Sequence, residues 1–123
     1  MNKYIPKDAT IFHIADDFGQ KDILLTLQQA SRKIFTFIKN EEKRQIAENN
    51  YLVKRRKLNY INEISKLEKE IDVLLISDNS FKLSEIQELP ETVIFINAKN
   101  VVSEFINYNL VHSSASIMVL RRK

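Results

Sequence analysis

The chain has 123 residues, 44% hydrophobic and 28% charged, with a formal net charge of +3, which places it with single globular domains and away from disordered chains. Cysteine is absent, which excludes a disulfide framework and a thiolate metal site and agrees with a reducing, cytoplasmic setting. No apolar run approaches the roughly 20 residues of a transmembrane helix, and no signal-type apolar region opens the chain.

In chain order, Met1 to Asp8 is a polar lead-in. Ile11, Phe12, Ile14 and Ala15 form a first strand, apolar on both faces as a central parallel strand is. It stops at Asp16-Asp17, and Gly19, the single glycine of the chain, follows. From Lys21 the period becomes helical, with Ile23, Leu24, Leu27 and Ala30 on the expected inward face. Lys33 to Ile38 is β-branched and aromatic, which suits a strand. Asn40 is placed as an N-cap, with Glu41 and Glu42 in the first turn where the helix dipole favours acids. Ile46, Ala47, Asn50, Tyr51 and Val53 form the expected inner face of that helix.

Leu58 to Ile61 reads as a short strand and Ile71 to Ser77 as the strongest strand of the chain. A short helix from Leu83 to Leu89 is stopped by Pro90. Thr92 to Ala98 is a further strand, Asn100 to about Val111 a helix, and Ser116 to Leu120 a last strand. The order predicts one α/β domain over 1–123, a doubly wound, mostly parallel sheet with helices on both faces. A rival pattern exists: Ile46, Val53, Tyr60 and Leu67 recur every seven residues and would make Glu41 to Glu70 one helical arm.

Two basic clusters stand out, Lys54-Arg55-Arg56-Lys57 and Arg121-Arg122-Lys123. Such clusters suit nucleic acid or another anionic surface; the plainer reading is solvated cations at a helix C-terminus and at a chain end.

From Thr10 to about Val111 the chain resembles the class I S-adenosylmethionine-dependent methyltransferases, a Rossmann-like family. IFHIADDFGQ occupies the place of that family's first strand and glycine-rich turn. His13 stands where the family has an acid, Ala15 and Asp17 where it has its first two glycines, and Gly19 at the third. FTFIKNEEKRQ resembles the second strand and helix, yet the ribose-binding acid's place falls on Ile38 or Lys39, with Asn40 and Glu41 beyond it. DVLLISDNS resembles the strand and polar loop that face the substrate, with Asp78 and Asn79 as acceptors. The proline-containing motif of amino-methylating members is absent. Only one strand, Ser116 to Leu120, stands for the family's terminal antiparallel pair, so the resemblance implies a truncated member.

What the resemblance implies is S-adenosylmethionine as cofactor, contacted by Asp16, Asp17, Gly19 and Asp78, or no cofactor where the motifs have eroded. No catalytic or metal-binding residue is assigned. The expected role is a non-catalytic accessory or recognition domain of a larger bacterial transferase, with other domains of that enzyme as partners. The alternatives are an active methyltransferase, and a nucleic-acid or anionic-surface module using Lys54, Arg55, Arg56 and Lys57 together with Arg121, Arg122 and Lys123.

Other chemistries find little support. Asp16-Asp17 resembles the acidic pair of a response-regulator receiver, but Asp78, Asn97 and Lys99 do not supply its other residues in order. His13 and His112 are too few for a zinc site and read as ordinary strand residues. Ser113, Ser114 and Ser116 lack a nucleophile elbow, and no P-loop motif occurs.

Overall fold

The computed structural model describes residues 2–29, 31–50, 53–54, 58–61, 70–78, 89–97, 107–114 and 116–123. A 3-10 turn, Asn2–Tyr4, leads into strand β1, Thr10–Ala15, and helix α1, Gln20–Gln28. Strand β2, Lys33–Ile38, and helix α2, Glu41–Asn49, follow, then β3 at Asn59–Ile61 and β4 at Val73–Ile76. Strands β5, Thr92–Ile96, β6, Tyr108–Ser113, and β7, Ile117–Arg122, complete the sheet.

The strand order is β3-β2-β1-β4-β5-β7-β6. Strands β1 to β5 pair in parallel, β7 is antiparallel to β5, and β6 is antiparallel to β7. The order reverses between β1 and β4, so the loops after these two strands diverge and open a crevice at their C-terminal ends.

Central position explains the apolar runs. β1 lies between β2 and β4 with Ile11 to Ala15 all buried, and β4 and β5 are buried throughout. Phe12, Ile14, Leu74, Ile76, Val93 and Phe95 fill one face of the sheet. Ile11, Leu25, Ile34, Val73, Leu75 and Ile94 fill the other. Each such side chain taken out of water contributes about 1.5–3 kcal/mol. α1 and α2 both pack on the second face, through Leu25 and Ala47.

Local chemistry sets the helix ends. Asn40 caps α2 by accepting a hydrogen bond from the Lys43 amide at 3.0 Å, with Glu41 and Glu42 in the first turn. The buried Arg32 guanidinium closes the other end of α1, donating to the Leu25 carbonyl at 3.2 Å and to the Ile5 carbonyl at 3.3 Å. Among the described residues no helix is long and apolar enough to cross a membrane.

Several expectations are corrected. The rival pattern of one helical arm over residues 41 to 70 does not form, and the short strand expected near 58–61 does: α2 ends at Asn49, and β3 pairs with β2, Phe35 opposite Asn59. The terminal antiparallel pair is complete, because Tyr108–Ser113 is a strand where the helix after Asn100 was expected to continue. β6 is an edge strand with most of its residues exposed, so it lacks the apolar alternation that marks a strand in sequence. The inner face of α1 is Asp22, Leu25 and Thr26, while Leu24 and Leu27 are 51% and 60% exposed. On α2, Ala47 is buried and Ile46 exposed; Val53 beyond it is buried, Asn50 is exposed, and Tyr51 lies outside the described residues. Of the helix expected at 83–89 only Leu89 is among the described residues, and the helix expected in 100–106 and the basic residues 55–57 lie outside them.

Candidate functional site

The loops after β1, β2 and β4 meet around a crevice of about 290 Å³ lined by Asp16, Lys39, Asn40 and Asp78. This is the switch point of the sheet, where α/β proteins bind ligands. Two of the sequence candidates, Asp16 and Asp78, are thus brought together from positions 62 residues apart. The other two, Asp17 and Gly19, are not part of that lining.

Gly19 takes a left-handed conformation, φ +93°, and begins α1. It is buried, and a Cβ built on it would lie 2.7 Å from the Tyr60 hydroxyl, 3.3 Å from Val53 Cγ2 and 3.4 Å from Ala47 Cβ. Glycine is required here twice over, for φ and for space. The space it leaves admits Tyr60. Ala15 likewise faces inward, packed with Ile38, Ala47 and Tyr60.

The turn itself is closed by its own side chains. Asp17 Oδ1 accepts from the Gly19 amide at 2.9 Å, and Gln20 Oε1 accepts from the Phe18 amide at 2.7 Å. Asp17 Oδ2 lies 3.4 Å from Lys21 Nζ. Asp16 pairs with Lys43 at 2.8 Å, and Lys43 sits 5.7 Å from the centre of the Phe18 ring. At the end of β2, Asn40 already spends its side-chain oxygen on the α2 cap.

Beneath this turn lies a buried polar network. His13, at the position of the family's acid, places Nδ1 2.7 Å from Asp22 Oδ1 and Nε2 2.8 Å from Ser77 Oγ. Thr36 and Tyr60 donate their hydroxyls to Asp22 Oδ2 at 2.8 and 3.1 Å. His13, Asp22 and Thr36 are fully buried. A carboxylate only accepts, which puts a proton on Nδ1 of the imidazole. Burial first, and then the negative charge of Asp22, hold the Tyr60 phenol well above its ordinary pKa, so it stays a neutral donor.

The sequence singled out only His13 of these groups. One sequence signal bore on Asp22, which shares a helical stripe with Leu25 and Thr26; Thr36 is brought beside His13 by the β1–β2 register, which only the structure shows. Among the described residues no group of three or more His, Cys, Asp or Glu side chains is placed to hold a metal ion.

The fold has close structural parallels. The M. capricolum TrmK structure, in complex with S-adenosyl-homocysteine, superposes with a TM-score of 0.71 at 17% identity, over 99% of this chain and 66% of that one. TrmN from Thermus thermophilus gives 0.71 at 11% identity, over 99% and 46%. The B. subtilis tRNA methyltransferase TrmK gives 0.66 at 13% identity, over 99% and 63%. No protein-family model and no curated protein matches the chain. At these identities the likeness is one of fold: a class I methyltransferase-like Rossmann sheet, in a chain that spans just under two thirds of the M. capricolum protein.

The M. capricolum structure holds S-adenosyl-homocysteine, and the residues present here can be tested against a cofactor of that kind. A nucleoside cofactor needs open backbone at the first turn and an acceptor for its ribose at the end of β2. Here the Phe18 and Gly19 amides are satisfied by the turn's own side chains, Lys39 stands in place of the acid, and His13 is locked inward on Asp22 and Ser77. These residues do not fit the cofactor in its family position.

Proposed function

We propose that this chain is a methyltransferase-like Rossmann domain that does not transfer methyl groups and serves as an accessory or recognition domain of a larger bacterial transferase. One observation carries the reading: the amides of the first turn, which would face a cofactor, are satisfied by Asp17 and Gln20. A ligand would have to break those bonds before making its own.

The test is a thermal shift, with calorimetry alongside, against S-adenosylmethionine and its demethylated product. Ligand at ten times its dissociation constant would stabilise the fold by about 1.4 kcal/mol, or roughly 3–6 °C for a domain of this size. No shift is expected up to 5 mM of either compound. A saturable shift would instead support the second reading, an active methyltransferase, which is favoured by the convergence of Asp16 and Asp78 on one crevice. In that case Asp78→Asn would weaken the shift.

A further inference from the structure

We infer that the end of the sheet opposite the crevice carries a single-stranded nucleic-acid binding surface, built on Tyr4, His112, Arg121, Lys3 and Lys123. It lies far along the strands from the crevice. Arg121 is opposite Thr92, the first residue of β5, whereas the crevice opens at the last residues of β1, β2 and β4.

Near the crevice loops, Lys21, Lys43 and Arg44 each have a carboxylate partner, in Asp17, Asp16 and Glu41 with Glu48. At the opposite end the cations meet an aromatic ring instead. Lys3 Nζ lies 5.6 Å and Arg121 Cζ 5.8 Å from the centre of the Tyr4 ring. The His112 imidazole lies 5.5 Å from the same ring, tilted by 40°. Among the described residues neither Lys3, Arg121 nor Lys123 has a carboxylate partner. The Lys123 amide donates to the Asn107 carbonyl at 2.9 Å, which ties the last residue down beside the patch.

The chemistry follows from this arrangement. Tyr4 packs against the buried cluster of Ile5, Ile11 and Val119, so the ring is a fixed platform. A guanidinium held against such a platform has already lost side-chain freedom, and its N–H groups suit a phosphate. Its flat face, with the imidazole beside it, suits a nucleobase in stacking. An anionic membrane would use the charges and leave the planar groups without a partner. Phosphates joined to planar bases use both. This partner gives the recognition-domain reading a substrate class and rests on that reading for its biological sense.

The test is fluorescence anisotropy of a labelled 12-nucleotide oligouridylate with the full chain at 50 and 200 mM KCl. Three phosphate contacts on a single strand predict an affinity loss of about 20-fold between those salts. The triple variant K3Q/R121Q/K123Q should bind at least tenfold more weakly at 50 mM and show a flatter salt slope. Lys39→Gln, in the crevice, should leave binding unchanged. All three substituted side chains are exposed, and R121Q alone serves if the triple variant melts early.

Absence of binding at 50 mM, equal affinity of the variant, or loss confined to Lys39→Gln would overturn the inference. So would binding to phosphatidylserine vesicles without binding to the oligonucleotide. Cofactor binding is read in the separate thermal-shift assay, so failure of this surface and failure of the non-methylating reading cannot be confused.

Discussion

Asp22 is the most informative residue to change, because one carboxylate satisfies two buried donors and a half-buried third. Asp22→Ala would leave the His13 Nδ1 proton and the Thr36 and Tyr60 hydroxyls without their acceptor. Each orphaned buried donor costs about 1–3 kcal/mol and the half-buried Tyr60 hydroxyl less, so the variant should lose about 2–6 kcal/mol or somewhat more. A domain's whole stability is only about 5–15 kcal/mol. Asp22→Ala should therefore lose a large part of its stability.

Asp22→Asn is a different perturbation. Its amide oxygen can take the Oδ2 position and keep Thr36 and Tyr60 as donors. Its amide nitrogen then faces His13 Nδ1, which must become an acceptor. The imidazole can oblige by moving its proton to Nε2 and donating to Ser77, whose hydroxyl lies 3.4 Å from the Ile14 carbonyl. The existing bonds are kept, charge assistance is lost and the second amide N–H is left without an acceptor, so the cost should be about 2–4 kcal/mol. Urea unfolding followed by circular dichroism at pH 7.5 measures both variants, and nitrogen chemical shifts of the imidazole report the tautomer. If Asp22→Ala loses less than about 1.5 kcal/mol, or Asp22→Asn loses as much as Asp22→Ala, the network does not stabilise the fold as argued.

Tyr60→Phe removes one donor to Asp22 and should cost about 1.5–3 kcal/mol near neutral pH. Because the folded phenol's pKa is raised, its contribution is full below the ordinary value near 10 and declines above it, by about 1.4 kcal/mol per pH unit. Stability curves of the two proteins should therefore converge above that pH, and parallel curves up to pH 11.5 would contradict the raised phenol. Gly19→Ala should cost about 2–4 kcal/mol from the left-handed backbone and the collision with the Tyr60 hydroxyl. Part of that cost should vanish in the Tyr60→Phe background, where the hydroxyl is gone. Additive losses in this double-mutant cycle, read from urea midpoints, would rule out the contact.

The central part of the fold was legible because burial on both faces leaves an unmistakable mark. Strands β1, β4 and β5 are such apolar runs at nearly the predicted limits, β2 is β-branched and aromatic with one face buried, and the α2 cap at Asn40 is a local signal that local geometry honours. The edge strand β6 gave no such mark, since Leu110 and Val111 are exposed and its residues alternate in no regular way. α1 misled for a related reason. Its apolar residues Leu24 and Leu27 face outward, and its inner stripe carries Asp22 and Thr26, because the space beneath is filled by hydrogen bonds rather than by methyl groups.

The site divides in the same way. Sequence alone determined that a turn bearing Asp16, Asp17 and Gly19 follows the central strand, that Asp78 follows another, and that the ribose acid's place holds no acid. Tertiary structure decided which of these residues meet. It set Asp16 beside Asp78 across the switch point, whereas Asp17 is held by a local bond to the Gly19 amide. It also buried Gly19 under Tyr60, 41 residues away in sequence. The physical reason is that strand order and register, not chain proximity, choose the partners of a buried polar group, and Asp22 must find its donors on β1, β2 and β3 alike.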